Sequence, residues 1–233
     1  MNCVIFGYRG YGKSEGTPSE EGLMQDGLAM SKFVFEDKEA DKYIDKEQVF
    51  LFGRSLGGAV AAKVALDMNF PFKGIIIENT FTTLADLVDV MFPFLKYFKK
   101  YLLRAKFETI NIIGKIKRPI LFCRSENDEL IPKIQMDTLY HSAKGALFKK
   151  YYTINIGTHN DGFRTDIIEY ANAIHKFMDE CDNYYKNLAK NKINEKEENK
   201  ENEDNNDISC TKENSNNKTK VDWIYKEITI KAP

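Results

Sequence analysis

The chain has 233 residues, is 42% hydrophobic and carries a formal net charge of −1, enough for one sizeable core and too balanced for a global pull towards nucleic acid or anionic membrane. Its cysteines, Cys3, Cys123, Cys181 and Cys210, lie far apart without a CxxC pair, which points to free thiols in a reducing compartment rather than a disulfide framework or a zinc site. No stretch approaches the roughly 20 apolar residues that cross a bilayer, and the start is unlike a secretory signal, so the chain as given reads as cytoplasmic.

In chain order, "CVIF" at residues 3–6 reads as a short strand entering the glycine-rich loop "GYRGYGKSEGTP". Thr17-Pro18-Ser19-Glu20 fits a capping box with Pro at the first helical position. The helix it opens runs to about Glu36, with Leu23, Gly27, Met30 and Val34 inward. A strand at 48–52 leads to the turn Gly53-Arg54-Ser55-Leu56-Gly57, where glycines relieve the sharp reversal, and an Ala-rich helix continues to about Asp67. "KGIIIEN", "RPILFC" and "FKKYYTIN" are three more strands, and a last helix spans about Arg164 to Lys186. Strands alternating with helices predict an α/β fold with a parallel, doubly covered sheet.

The α/β domain is expected over residues 1–182. Residues 183–220 hold the end of the last helix and an Asn/Lys/Glu-rich tract, expected to be disordered from about Asn187 because it has no apolar period to bury. Residues 221–233 are a β-prone tail. No internal repeat is visible. Asn217-Lys218-Thr219 matches a glycosylation acceptor that no secretory signal supports.

The chemistry centres on "FLFGRSLGGAVAAKV", residues 50–64. A serine in GxSxG between a strand and a helix is forced outward above the sheet. Its hydroxyl needs a base, usually histidine, and that histidine needs a carboxylate to fix its tautomer. Of the three histidines, His141 and His175 lie within helical patterns and read as packing or surface residues. His159, in "INIGTHNDG", follows a strand in a loop with glycine on both sides, where open α/β sheets place ligands. Asp128, in "ILFCRSENDELIP", stands in the loop after another strand, with a turn or capping role as the plainer reading. Asp161 is too close to His159 for easy pairing, and Glu78 is the reserve acid. The N–H of Leu56, directly after the nucleophile, is a candidate oxyanion donor. Gly7 to Ser14 also match the P-loop pattern GxxxxGK[ST]. That motif works only where Lys and Ser open a helix, and here Glu15-Gly16-Thr17-Pro18 intervene.

"YRGYGKSEGTPSEEGL", "LFGRSLGGAVA", "IENTF", "SENDELIP" and "GTHND", taken in this order, resemble the motifs of the α/β-hydrolase superfamily, in particular the bud-emergence-suppressor-like (Bem-like) serine hydrolases. The resemblance covers nearly all of residues 4–182. It implies Ser55 as nucleophile, Asp128 as acid and His159 as base, no metal or organic cofactor, and ester or thioester substrates, including acyl groups on small molecules or on lipid-modified proteins. It also implies that about the first three strands of the fold are missing. With them go the loop that normally supplies a second oxyanion donor and an N-terminal segment that anchors some relatives to membranes. "DVMFPFLKYFKKYLLRAKF" stands where such hydrolases build caps, and reads as core packing by an amphipathic helix, with an acyl pocket or a membrane-touching surface as the alternatives. The expected function is a serine hydrolase. The alternatives are a catalytically silent truncated hydrolase or interaction module and, remotely, nucleotide binding at Lys13 and Ser14.

Overall fold

A computed structural model of the chain describes residues 2–91, 94 and 105–206, with side chains to residue 195. The chain divides into two units, Met1–Phe177 and Met178–Pro233, and the sheet and every candidate site residue belong to the first. Four parallel strands lie in chain order, β1 (Phe50–Arg54), β2 (Gly74–Glu78), β3 (Ile120–Ser125) and β4 (Lys149–Ile154). Arg54 is in register with Glu78, Glu78 with Cys123 and Cys123 with Tyr152. A parallel register of this kind makes the loops after all four strands leave from one edge.

Helix α1 (Glu20–Glu36) precedes the sheet, and α2 (Leu56–Val64) joins β1 to β2. Helices α3 (Leu84–Met91) and α4 (Ile110–Ile113) lie between β2 and β3, and α5 (Lys133–Ser142) lies between β3 and β4. Helices α6 (Gly162–Thr165) and α7 (Ile167–Asn206) follow β4. Alternate strand residues face opposite sides. On one side Ile75, Ile77, Ile120 and Phe122 pack with Ala62 of α2, Ile113 of α4, and Met136 and Leu139 of α5. Burying each large apolar side chain contributes about 1.5–3 kcal/mol, so this layer dominates the stability of the sheet. On the other side the Phe177 ring meets Phe50 and Phe148 edge-on, with centroids 6.3 and 5.9 Å away. A second cluster joins Leu23 of α1 to Ala59, Val60 and Val64 of α2, and to Phe81, Phe107 and Ile131.

Several boundaries differ from the sequence reading. Residues 3–6 form no strand, and Val4 and Ile5 are 47% and 87% exposed. Among the described residues nothing pairs with the outer edge of β1, and an extended segment without a neighbouring ladder gains no cooperative stability. The helix cap lies two residues later than expected: Ser19 Oγ accepts from the Gly22 N–H, leaving Pro18 outside α1. The helix after the serine turn ends at Val64 rather than about Asp67. Helix α7 continues to Asn206 instead of stopping near Lys186, because Glu and Lys are good helix formers even where no apolar stripe exists. The remainder of the Asn/Lys-rich tract, the β-prone tail and most of the expected cap lie outside the described residues.

The crossing from α2 to β2 is organised by Arg118, just before β3 and 5% exposed. Its guanidinium donates to the carbonyls of Ala65 at 3.2 Å, Asp67 at 3.1 Å, Phe70 at 2.6 Å and Phe72 at 2.7 Å. A planar fork of donors suits such a set of diverging acceptors, which a single ammonium could not match. Arg118→Ala strands those carbonyls and is expected to destabilise the protein by about 2–4 kcal/mol. Urea unfolding measures this, and a loss within about 0.5 kcal/mol of zero contradicts the assigned role.

Candidate active site

Ser55 sits between the last residue of β1 and the first of α2, with φ 54° and ψ −123°. Few non-glycine residues adopt such a backbone, and those that do are held there by their surroundings. The turn is tight on one flank in particular: a Cβ at Gly53 would lie 2.3 Å from the Gly57 carbonyl oxygen. A Cβ at Gly58 would lie 2.7 Å from Thr80 Cβ, whereas at Gly57 the nearest atom would be Tyr8 Oη at 3.9 Å. Gly53 and Gly58 therefore carry the steric requirement that the sequence suggested for Gly53 and Gly57. Leu56 opens α2, so its N–H is among the first-turn donors that lack an intrahelical acceptor.

The expected acid and base meet. His159 Nδ1 lies 2.8 Å from Asp128 Oδ2, and the two side chains are only 6% and 2% exposed. The other carboxylate oxygen of Asp128 accepts from the N–H groups of Leu130 at 2.9 Å and Ile131 at 2.7 Å. Asp128 thus does both things the sequence allowed, closing the turn before Ile131-Pro132 and facing the imidazole. An Nδ1–H donated to Asp128 leaves Nε2 as the unprotonated nitrogen. The His159 N–H donates to Glu129 Oε2 at 3.1 Å, so the acid loop holds both the ring and the backbone of the base loop.

Ser55 Oγ has no hydrogen bond among the described residues. Its neighbour Arg54 nevertheless donates from Nη1 to the carbonyl of Asn160, next to His159, at 3.4 Å. That contact brings the serine turn and the base loop together at one edge of the sheet. Catalytic hydrogen bonds of unliganded sites are often long and tighten only around substrate.

The remaining candidates separate cleanly. Asp161 bonds the N–H and hydroxyl of Thr158, at 2.7 and 2.6 Å, and these bonds hold its carboxyl below the usual range. His141, on α5, is exposed with its ring against Tyr140, and His175, on α7, lines an apolar depression of about 260 Å³ with Phe163, Ile167 and Ile174. Lys13 and Ser14 do not open a helix: α1 begins at Glu20, and Ser14 Oγ donates to the Gly7 carbonyl at 3.0 Å. The loop is instead anchored by Arg9, which forks onto Asp26 of α1 at 2.7 and 3.0 Å and holds that carboxyl below its ordinary range.

Glu78 does not bond His159. Buried to 1% exposure at the end of β2, it accepts a hydrogen bond from the hydroxyl of Tyr170, a partner that nothing in the sequence marked. Burial raises its carboxyl above the ordinary 4.5, against the opposing pull of Tyr170, Arg54 and His159. Between the ordinary and the raised value the native state keeps a proton that the unfolded chain has released, so stability falls as pH rises through that window. Glu78→Gln keeps an acceptor for Tyr170 and removes the charge. Its stability relative to the unsubstituted protein is expected to grow in urea unfolding as pH rises above the ordinary carboxylate value; two parallel curves contradict this.

A family model described as serine aminopeptidase, S33 (Hydrolase_4) matches residues 1–110. The chain is 36% identical over 156 residues to the α/β-hydrolase domain-containing protein WAV2 of Arabidopsis thaliana, covering 61% of this chain and 49% of that protein. It is 34% identical over 183 residues to protein bem46 of Schizosaccharomyces pombe, covering 78% and 59%. Among solved structures the Pyrococcus furiosus esterase Pf2001 superposes with a TM-score of 0.59 at 15% identity, covering 74% of this chain and 68% of that one; the likeness is one of fold. The chain thus spans about half to three-fifths of the length of these curated relatives. No helix among the described residues is long and apolar enough to cross a membrane. Sequence motifs, parallel sheet and relatives all liken the chain to the α/β-hydrolase superfamily, and in particular to its Bem-like members.

Proposed function

We propose that this protein is a serine hydrolase that cleaves a carboxylic ester or thioester through an acyl-enzyme on Ser55. The observation that carries the reading is the buried hydrogen bond between His159 Nδ1 and Asp128 Oδ2, formed at the edge where β1 delivers a strained serine. In the first step His159 Nε2 takes the Ser55 proton while Oγ attacks the substrate carbonyl. Asp128 keeps the ring in the tautomer that can accept that proton, and steadies the imidazolium that results. The Leu56 N–H, at the positive end of α2, faces the developing oxyanion. His159 then protonates the leaving alcohol or thiol, and finally activates the water that hydrolyses the acyl-enzyme.

An apolar acyl group suits the surroundings. Leu56, beside the nucleophile, belongs with Tyr8, Leu84, Leu87 and Leu130 to a set of half-buried side chains packed against the second cluster. Such apolar neighbours favour chains carried by small esters or by lipid-modified proteins.

The test is covalent labelling by a fluorophosphonate together with hydrolysis of p-nitrophenyl butyrate. Labelling that Ser55→Ala abolishes, and turnover that Asp128→Asn lowers by about 10³–10⁴-fold, are the expected results. Well-folded protein that neither labels nor hydrolyses overturns the reading in favour of a catalytically silent interaction module.

A further inference from the structure

The three residues Glu78-Asn79-Thr80, at and just beyond the end of β2, take no part in the chemistry above, yet each loop that supplies it is tied to them. Both backbone polar groups of Ser55 end there. Its N–H donates to the Glu78 carbonyl at 2.9 Å, and its carbonyl accepts from Thr80 Oγ1 at 2.6 Å. Thr80 is fully buried and presses on Gly58 of the serine turn, as the close approach there requires. A serine with φ 54° stays in place only if its neighbours over-determine it. These two hydrogen bonds do so, together with the one that the Gly58 N–H donates to the Ser55 carbonyl at 2.9 Å.

Asn79 serves the other two loops. Its own φ is 41°, which Asn tolerates better than most residues, and its N–H donates to the Cys123 carbonyl at 3.0 Å. Both ends of its amide engage Ser125, the last residue of β3: Nδ2 donates to Ser125 Oγ at 2.9 Å, and Oδ1 accepts the Ser125 N–H at 2.8 Å. Ser125 stands at the stem of the Asp128 loop. On its far side it touches the base loop, since a Cβ at Gly162 would lie 2.5 Å from Ser125 Oγ and one at Gly157 would lie 3.2 Å from it. Those two glycines flank His159. All of these groups are buried, so an apolar side chain at either position would fill the space and leave the partner groups unpaired.

We propose that Asn79 and Thr80 are positioning residues of the site. Thr80 holds the backbone of the nucleophile in its strained form, and Asn79 fixes the stem of the acid loop against the glycines beside the base. This inference rests on the serine-hydrolase reading for its kinetic consequence and on the hydrogen bonds alone for its structural one.

The experiment uses the full chain with four variants: Thr80→Val, which keeps shape and loses the hydroxyl; Thr80→Ser, which restores it; Asn79→Gly, which keeps the positive φ and loses the amide; and Ser125→Ala. Two readouts are taken on folded protein, the rate of fluorophosphonate labelling at Ser55 and the NMR resonance of the His159 Nδ1 proton. Thr80→Val is expected to slow labelling about 10- to 100-fold, as small misplacements of reacting groups do, and Thr80→Ser to recover most of that loss. Asn79→Gly is expected to slow labelling similarly and to move the His159 proton resonance, with Ser125→Ala adding little on top of it because the two share one contact. Labelling within about twofold of the unsubstituted rate in both Thr80→Val and Asn79→Gly, or an unmoved His159 resonance in Asn79→Gly, overturns the proposal. If the unsubstituted protein does not label at all, the hydrolase reading fails, and the His159 resonance in Asn79→Gly still decides the positioning role. If Thr80→Val does not fold, that same variant decides it.

Discussion

A serine forced to φ 54° and ψ −123° stores on the order of 1–3 kcal/mol of backbone strain, and the rest of the site is arranged around keeping it there. Strand β1 brings the chain in, α2 takes it away, and the residues at the end of β2 hold both backbone groups of the turn. The strain is what turns an ordinary serine into an outward-facing one at a helix N-terminus.

The parallel sheet supplies the second requirement, which is coincidence in space. Because Arg54, Glu78 and Cys123 are in register, the loops bearing Ser55, Asn79 and Asp128 begin at one level. The loop after β4 then has only to fold back over Ser125 to bring His159 onto Asp128. Its glycines allow this: at Gly157 a Cβ would come within 2.3 Å of Gly162 Cα, so the loop closes on itself more tightly than side chains permit. Asp128 divides its two oxygens between the turn that fixes it and the ring it serves. Such a carboxylate is preorganised before any substrate arrives, which is where electrostatic catalysis gains most. The buried Glu78–Tyr170 pair completes the support, joining the end of β2 to the helix that follows the base loop.

The parts of this that the sequence made legible are those written in local chemistry. Apolar runs bounded by turn residues placed β1 to β4 within a few residues, and Gly-x-Ser-x-Gly between a strand and an Ala-rich helix marked Ser55. Position after a strand set His159 and Asp128 apart from the helical histidines. What stayed hidden depends on partners far away in the chain. The apolar residues 3–6 resemble a strand, but a strand exists only with a neighbour, and among the described residues they have none. Ser19 outcompeted Thr17 as the cap because the Gly22 N–H was the donor within reach of its hydroxyl. Arg118 opens "RPILFC" with nothing local to mark it out, yet it is buried among backbone carbonyls. Asn79, Thr80 and Tyr170 acquire their roles only when β1, β3 and α7 come alongside, and single-residue chemistry carries no sign of that.

The chain therefore presents an aspartate–histidine pair already bonded and a serine already strained at the same edge of the sheet. A crystal structure of the protein after reaction with a small alkyl fluorophosphonate examines that arrangement directly. The account predicts phosphorus on Ser55 Oγ, a phosphonyl oxygen accepting from the Leu56 N–H, and His159 Nε2 turned towards the phosphonate with Nδ1 still on Asp128. Phosphorus on another residue, or a His159 ring that has left Asp128 and points away from Ser55, would contradict it.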